Sequence, residues 1–105
     1  MTTDNLVERL RKLDTCALSD AIDRLGLKGV ALGIRPMWQC PRIGGRVVTM
    51  KLVRATGNET TTRHLGTTAV VSSSPGDVIV VEHKSRADAA GWGGILSNAA
   101  KVAGV

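Results

Sequence analysis

The apolar run Val78–Val81 constrains the fold of this chain more than any other segment. Its four consecutive β-branched residues favour an extended strand, and an unbroken run is typical of a strand covered on both faces. The preceding Pro75-Gly76-Asp77 predicts a turn, because proline sets the first corner and glycine accepts the second. A polar loop over 83–91 and a helix from Gly94 to Ala103 follow. The order strand, loop, helix indicates a parallel crossover unit, and therefore an α/β fold.

Composition agrees with this fold class. The length of 105 residues permits one domain with a modest core, and a hydrophobic content of 43% argues against disorder. The only aromatic residues are Trp38 and Trp92, so the core must be aliphatic, as is common where helices cover a parallel sheet. We expect a single domain over 1–105.

Periodicity and turn residues predict the remaining elements. They are a helix over 4–13, a helix capped by Thr15 and ended by Gly26, a loop over 27–45, a strand over 46–53 and a helix over 60–72. In the last helix of the chain, the spacing predicts burial of Ile95, Leu96, Ala99 and Val102. A crossover helix normally returns the chain to another strand, yet only Gly104 and Val105 follow it. We therefore expect the domain to be incomplete before its final strands.

Charge and cysteine usage exclude several function classes. The net charge is +5, but the basic residues are dispersed and aromatic stacking residues are scarce, so we expect no direct nucleic-acid binding. No apolar run could cross a bilayer, and the polar start lacks a secretory signal, which favours a cytoplasmic protein without membrane contact. Cys16 and Cys40 have no metal-site spacing, and we expect two free, buried thiols.

The glycine-rich segment Gly91–Leu96 is the strongest candidate for a binding site. It lies between the run Val78–Val81 and the last helix, at the carboxyl end of a strand, where α/β folds bind ligands. Unpaired N–H groups at the helix start, together with the helix dipole, can hold a carboxylate or phosphate. The segment matches neither a Walker loop nor a complete dinucleotide fingerprint. A glycine-rich tight turn without a ligand is the alternative interpretation.

Other polar residues give no catalytic pattern. His64 and His83 are isolated, which favours structural or surface roles. Asp20 and Asp23 lie off the apolar stripe of their helix and are interpreted as surface carboxylates. The sequence therefore assigns no catalytic residue and no metal ligand.

Four segments, taken in order, resemble a known family. They are Thr15–Ala21 (TCALSDA), Arg63–Thr67 (RHLGT), Pro75–Val81 (PGDVIVV) and Gly91–Leu96 (GWGGIL). The chain resembles the RraA-like family, which includes the regulator of ribonuclease E activity A, the 4-hydroxy-4-methyl-2-oxoglutarate aldolases and proteins formerly labelled demethylmenaquinone methyltransferases. The resemblance covers the N-terminal portion of the family's domain. It implies a swivelling β/β/α-type domain that assembles as trimers or hexamers.

The resemblance also implies a chemistry. In the aldolase branch, Mg²⁺ or Mn²⁺ chelates an α-keto acid and stabilises the enolate formed when a C–C bond breaks. Main-chain amides at the glycine-rich helix start hold the pyruvate carboxylate, and the matching residues here are Gly93, Gly94, Ile95 and Leu96. The expected substrate is a small oxo acid that yields pyruvate.

This sequence departs from the family pattern at two places. The family's Arg-Asp pair lies on a strand after the last helix, and many members have an Asp where Gly94 stands. No family metal ligand can be assigned, Asp77 and Glu82 are not substitutes by spacing, and we expect this chain alone to bind no metal and to be inactive. The alternative function is a non-catalytic regulator that binds a ribonuclease or helicase partner. A third possibility is a separate polypeptide that completes the site.

Overall fold

The protein is described by a computed structural model that covers residues 3–84 and 86–105. Its contacts divide the chain into two compact units, one up to Gly44 and one from Gly45 onward. All strands found within the described residues, and the candidate site, lie in the second unit.

The first unit contains two helices, α1 (Thr3–Arg11) and α2 (Thr15–Arg24), followed by an irregular segment, as predicted for residues 27–45. The N-cap of α2 is Asp14, whose carboxylate accepts a hydrogen bond from the amide of Ala17 at 2.7 Å. The prediction of Thr15 as the cap was therefore wrong by one residue. A carboxylate at the N-cap also complements the helix dipole.

The two thiols lie in this first unit. Cys16 and Cys40 are free, but both are exposed, so the expectation of burial was wrong. Leu18 and Ile22 on α2 are only half-buried, and every described residue between Leu25 and Ile43 is exposed. The residue type alone therefore did not predict correctly whether the two cysteines are buried.

The second unit is built on a parallel sheet of two strands, β1 (Val47–Lys51) and β2 (Val78–Glu82). Val47 pairs with Val78, and Lys51 pairs with Glu82. This parallel pairing confirms the α/β class predicted from the sequence. It also places the residues after Lys51 and after Glu82 at one end of the sheet.

One face of this sheet is covered and the other is open. Met50 is buried, and its partner Val81 is half-buried on the same face, where α3 (Leu65–Ser72) packs against β1. On the opposite face Val47 is 59% exposed and Val80 is 43% exposed. The β-branched run was therefore correctly predicted as a strand, but the prediction that both its faces are buried was wrong. Within the described residues, α3 is the helix that covers β1, and it covers one side only.

The helices α3 and α4 (Gly94–Val102) pack on each other. The helix predicted over 60–72 begins only at Leu65, with His64 as its N-cap, and it buries Gly66, Ala69 and Val70. On α4, Ala100 is buried and Leu96 is half-buried.

Burial on α4 differs from the prediction. Ile95 and Val102 are 88% and 89% exposed, and Ala99 is exposed as well. The predicted burial of these three residues was wrong, because α4 turns Leu96 and Ala100 inward instead. These two residues lie four positions apart on one helix face.

The turn before β2 has the predicted form. Gly76 has φ 85°, the amide of Asp77 donates to the carbonyl of Ser74 at 3.0 Å, and the amide of Gly76 donates to the carbonyl of Gly104 at 2.8 Å. Gly104, with φ 78°, follows Ala103, the C-cap residue of α4. In the part of the chain that the structure describes, no helix has both the length and the apolar character needed to cross a membrane.

Candidate functional site

An open cleft of about 470 Å³ lies between the start of α3 and the start of α4. His64 and Thr67 line it from the α3 side, and the segment Ala90–Leu96 lines it from the other. All four residues predicted to bind a carboxylate, Gly93–Leu96, therefore lie along one cavity. Their role as ligands stays a prediction.

The main chain at the start of α4 presents unpaired donors. The first amide of this region to donate within the helix is that of Ser97, to the carbonyl of Gly93 at 3.0 Å. For the amides of Gly94, Ile95 and Leu96, no acceptor is found within residues 3–84 and 86–105. Gly93 provides no side-chain cap, and the first turn of α4 carries no acidic residue. The amide protons and the positive end of the helix dipole are therefore not neutralised by the described protein atoms.

Small residues keep this backbone accessible. A Cβ atom built at Gly93 or at Gly94 would meet no heavy atom within 4 Å. Gly93 has φ −153°, which any residue adopts, so the absence of a side chain here matters for access rather than for backbone conformation. A ligand oxygen can approach these amides without displacing a side chain.

Gly91 has a different role, because it packs closely on its neighbours. A Cβ atom there would lie 2.7 Å from Cδ1 of Leu52 and 2.8 Å from Cδ2 of His83. Leu52 follows β1, and His83 follows β2. The close contact at Gly91 therefore fixes the glycine-rich segment against the carboxyl end of the sheet.

A hydrogen-bonded pair that the sequence did not reveal holds the same segment on its other side. The indole Nε1–H of Trp92 donates to Oγ of Ser97 at 3.0 Å, and the Ser97 hydroxyl donates to the carbonyl of Gly93 at 3.1 Å. Trp92 is half-buried. This connection ties the turn before α4 to the first turn of the helix. The five-residue spacing from Trp92 to Ser97 was available in the sequence, but it indicates a contact only once the helix start is known.

His64 also has a defined structural role. Its Nδ1 accepts a hydrogen bond from the amide of Gly66 at 3.1 Å, which caps α3. Because Nδ1 is an acceptor, the ring proton of the neutral imidazole lies on Nε2. The structural role predicted for His64 is confirmed, although sequence reasoning did not place this residue or Thr67 beside Gly93–Leu96.

The donor set of the cleft does not fit a divalent metal ion. Mg²⁺ and Mn²⁺ prefer carboxylate and other oxygen ligands, whereas the lining residues include one imidazole and no carboxylate. Elsewhere in the described ranges, no three His, Cys, Asp or Glu side chains come together as a metal site would require. The lining of the cleft therefore offers N–H donors and no carboxylate, a donor set that suits an anion better than it suits a divalent metal ion.

Comparison with known proteins gives one family. The sequence model of the RraA-like family, described as Aldolase/RraA, matches residues 15–105, which include every residue that lines the cleft. Protein DlpA of Legionella pneumophila is 27% identical to this chain over 99 residues, which are 94% of the chain and 16% of DlpA. The chain thus spans less than a fifth of the length of this relative. No solved structure matches the chain.

Proposed function

The chain belongs to the RraA-like family, and from this premise we propose that it supplies the carboxylate-binding part of a site for a small oxo acid that yields pyruvate. The observation that supports this proposal is that Gly94, Ile95 and Leu96 line an open cleft and that their amides have no acceptor among the described residues. A carboxylate accepts several such hydrogen bonds at once, and the helix dipole favours its charge.

The cleft is large enough to admit a small acid. Its volume of about 470 Å³ lies within the range of small-molecule sites, which is about 300–1,000 Å³. His64 can direct its Nε2–H toward a second oxygen of the ligand, since Nδ1 is occupied by the cap of α3. The Thr67 hydroxyl adds a donor or acceptor on the same side.

Cleavage of the acid is a further part of the proposal. The family resemblance implies that a divalent metal and an Arg-Asp pair act on the bound oxo acid in the complete site. The side chains that line the present cleft do not suit that metal, so no bond-breaking step is assigned to these residues. We propose that the 105-residue chain binds pyruvate but does not catalyse the aldol reaction unaided.

The binding step can be tested at a single main-chain donor. Gly94 is the first residue of α4, where proline is well accepted, and Gly93 before it is already extended, as a residue that precedes proline should be. Gly94→Pro removes one N–H, whereas Gly94→Ala keeps it and serves as the matched control. A Cβ at this position meets nothing within 4 Å, so both variants should fold.

Pyruvate binding is measured by amide chemical shifts of the isotope-labelled chain, with methyl pyruvate as the neutral control ligand. Loss of one hydrogen bond to a charged group costs about 1.5–3 kcal/mol, so we expect Gly94→Pro to weaken binding at least about tenfold. Gly94→Ala is the reference for this loss, because both variants add a Cβ at the same position and only the proline variant lacks the N–H. Equal binding by both variants, or equal binding of the neutral ester, would contradict the proposal.

A pyruvate-release assay with added Mg²⁺ tests the catalytic part. We expect no turnover by the 105-residue chain, because its cleft lacks carboxylates for the metal. Measurable turnover that depends on Mg²⁺ would show that these residues suffice for catalysis.

The absence of a carboxylate from the cleft favours a second candidate function. We propose as the alternative a non-catalytic regulator that binds a ribonuclease or helicase, as one branch of the family does. Retention of a purified ribonuclease by the immobilised chain, unchanged by a metal chelator, would support this alternative. Failure to retain it, together with pyruvate binding, would favour the oxo-acid site.

A further inference from the structure

A second cleft, of about 530 Å³, opens at the carboxyl ends of β1 and β2. Arg54 lines it from the segment after β1, and Lys84 lines it from the segment after β2. Arg86 and Asp88 contribute from the following loop. The carboxyl ends of adjacent parallel strands are the usual place for a ligand in α/β proteins.

The lining of this cleft has an excess of positive charge. Arg86 is paired with Asp88 through two hydrogen bonds, from Nε at 3.0 Å and from Nη2 at 2.7 Å. This pair lowers the pKa of Asp88, and the nearby His83 lowers it further. In the described part of the chain, no carboxylate lies within 4 Å of the Arg54 or Lys84 side-chain nitrogens. The two cations are therefore uncompensated by an ion pair.

Glu82, the last residue of β2, brings a carboxylate to this end of the sheet but does not line the second cleft. Glu82 Oε1 accepts a hydrogen bond from the main-chain amide of Lys84 at 3.0 Å. The main chain then turns, with φ 50° at Lys84, and the amide of Arg86 donates to the carbonyl of His83 at 3.3 Å. Lys84 thus follows the end of β2, and Arg54 follows β1 at the same end of the sheet.

We infer that this second cleft binds the phosphoryl group of a small phosphorylated ligand. A guanidinium and an ammonium on two sides of a cavity suit a doubly charged, multi-oxygen anion better than they suit a single carboxylate. Leu52, Val53 and Ala89 provide an apolar wall for the uncharged part of such a ligand. The inference stands apart from the proposed oxo-acid site, because its charged residues take no part in that site.

The test uses inorganic phosphate and pyrophosphate as probes, titrated into the chain by calorimetry at about 0.1 M salt, where long-range surface attraction is largely screened. Lys84→Gln removes a cation that lines the cleft. Lys101→Gln removes an exposed cation on α4 that does not line it, so the two variants have the same net charge. We expect Lys84→Gln to weaken pyrophosphate binding at least fivefold, and Lys101→Gln to change it less than twofold.

A variant with the opposite expected effect makes the test sharper. Asp88→Asn releases Arg86 from its ion pair and makes its guanidinium available to the ligand, so pyrophosphate should bind several-fold more tightly. Asp20→Asn, at an exposed position of α2, changes the net charge equally and should leave binding unchanged.

Three results would overturn the inference. They are equal losses in Lys84→Gln and Lys101→Gln, equal gains in Asp88→Asn and Asp20→Asn, and no binding of either phosphate probe. Failure of the oxo-acid proposal is distinguishable, because pyruvate binding should be retained in Lys84→Gln and reduced in Gly94→Pro. If phosphate and pyruvate compete for one site, so that each molecule of phosphate displaces one molecule of pyruvate, the inference of a separate phosphate site would also be contradicted.

Discussion

Substitution of Gly91 by alanine tests whether close packing holds the glycine-rich segment in place. The new Cβ would lie 2.7 Å from Leu52 Cδ1 and 2.8 Å from His83 Cδ2, which is well inside ordinary van der Waals contact. Both neighbours are half-buried, so neither can move away without disturbing its own contacts. Gly93→Ala is the matched control in the same segment, because its Cβ would meet nothing within 4 Å.

Two terms set the expected magnitude. Overpacking of this kind costs about 1–3 kcal/mol. Alanine also restricts the unfolded chain, which stabilises the protein by about 0.4–1 kcal/mol, so the central values of the two effects leave a net destabilisation by Gly91→Ala of about 1.3 kcal/mol. At Gly93, an N-cap position, alanine is slightly less favourable than glycine, which offsets the same gain. We therefore expect Gly93→Ala to stay within about 0.5 kcal/mol of the unaltered chain.

Urea unfolding, followed through Trp92 fluorescence in a Trp38→Phe background, measures this difference in the second unit. Trp38 belongs to the first unit, so its removal leaves one reporter beside the substituted glycines. The midpoint of Gly91→Ala should fall clearly below that of Gly93→Ala, and its pyruvate affinity should fall as the segment shifts. Equal midpoints would refute the argument that Gly91 is required by close packing.

Three further predictions concern other contacts. Gly45→Ala should lower the thermal midpoint by several degrees, because its Cβ would collide with the backbone carbonyl of Gly76. Gly44→Ala is the control, because its Cβ would lie 3.4 Å from Cγ of Arg11, an ordinary contact. Equal midpoints for the two variants would count against this. Trp92→Phe keeps an aromatic ring but cannot donate to Ser97, so the amide of Ser97 should exchange with solvent faster; unchanged exchange would show that the bond does not hold the turn. The ion pair with Arg86 lowers the pKa of Asp88. Any stability that the Asp88 carboxylate contributes is therefore present above its ordinary pKa of about 3.9, and it is lost as the pH falls through the lowered pKa. The free energy of unfolding of Asp88→Asn should therefore differ from that of the unaltered chain only above that pH range. The difference should be small, because the ion pair is exposed. A larger difference in acid than at neutral pH would contradict this.

The main elements of the second unit were predictable from local chemistry. The β-branched run after Pro75-Gly76-Asp77 predicted β2, and the glycines at each end of α4 predicted its bounds to within one or two residues. The order strand, loop, helix after Pro75-Gly76-Asp77 predicted a parallel sheet, but the pairing of β1 with β2 was seen only in the structure. The turn residues, the β-branched run and the glycines act through neighbours in the sequence, so what they predict does not depend on which elements pack on the sheet.

Burial was less predictable, because it depends on what lies across from each side chain. Val80 belongs to the apolar run that suggested a strand covered on both faces, yet it lies on the open face of the sheet. Cysteine is among the residue types most often buried, but Cys16 and Cys40 are exposed.

The candidate site was likewise predictable only in part. The glycine-rich helix start at Gly93–Leu96 was predictable, because the first amides of any helix lack partners within it and glycine brings no capping side chain. The cap formed by His64 and the bond from Trp92 to Ser97 were not, since each needs the exact position of a helix start. A one-residue error at the start of a helix, like that made for α2, is enough to hide such contacts.

The orientation of α4 shows why periodicity alone could not settle which residues face inward. Two apolar stripes run along this helix: one contains Leu96 and Ala100, and the other contains Ile95 and Val102. Gly66 on α3 decides between them, because a Cβ there would collide with Cδ1 of Leu96 and lie 3.0 Å from its Cδ2. The missing side chain at Gly66 therefore makes the space into which Leu96 packs, and the second stripe is left exposed. The same orientation places the start of α4 in the cleft that His64 also lines, so a glycine on one helix determines where the first turn of the other one lies.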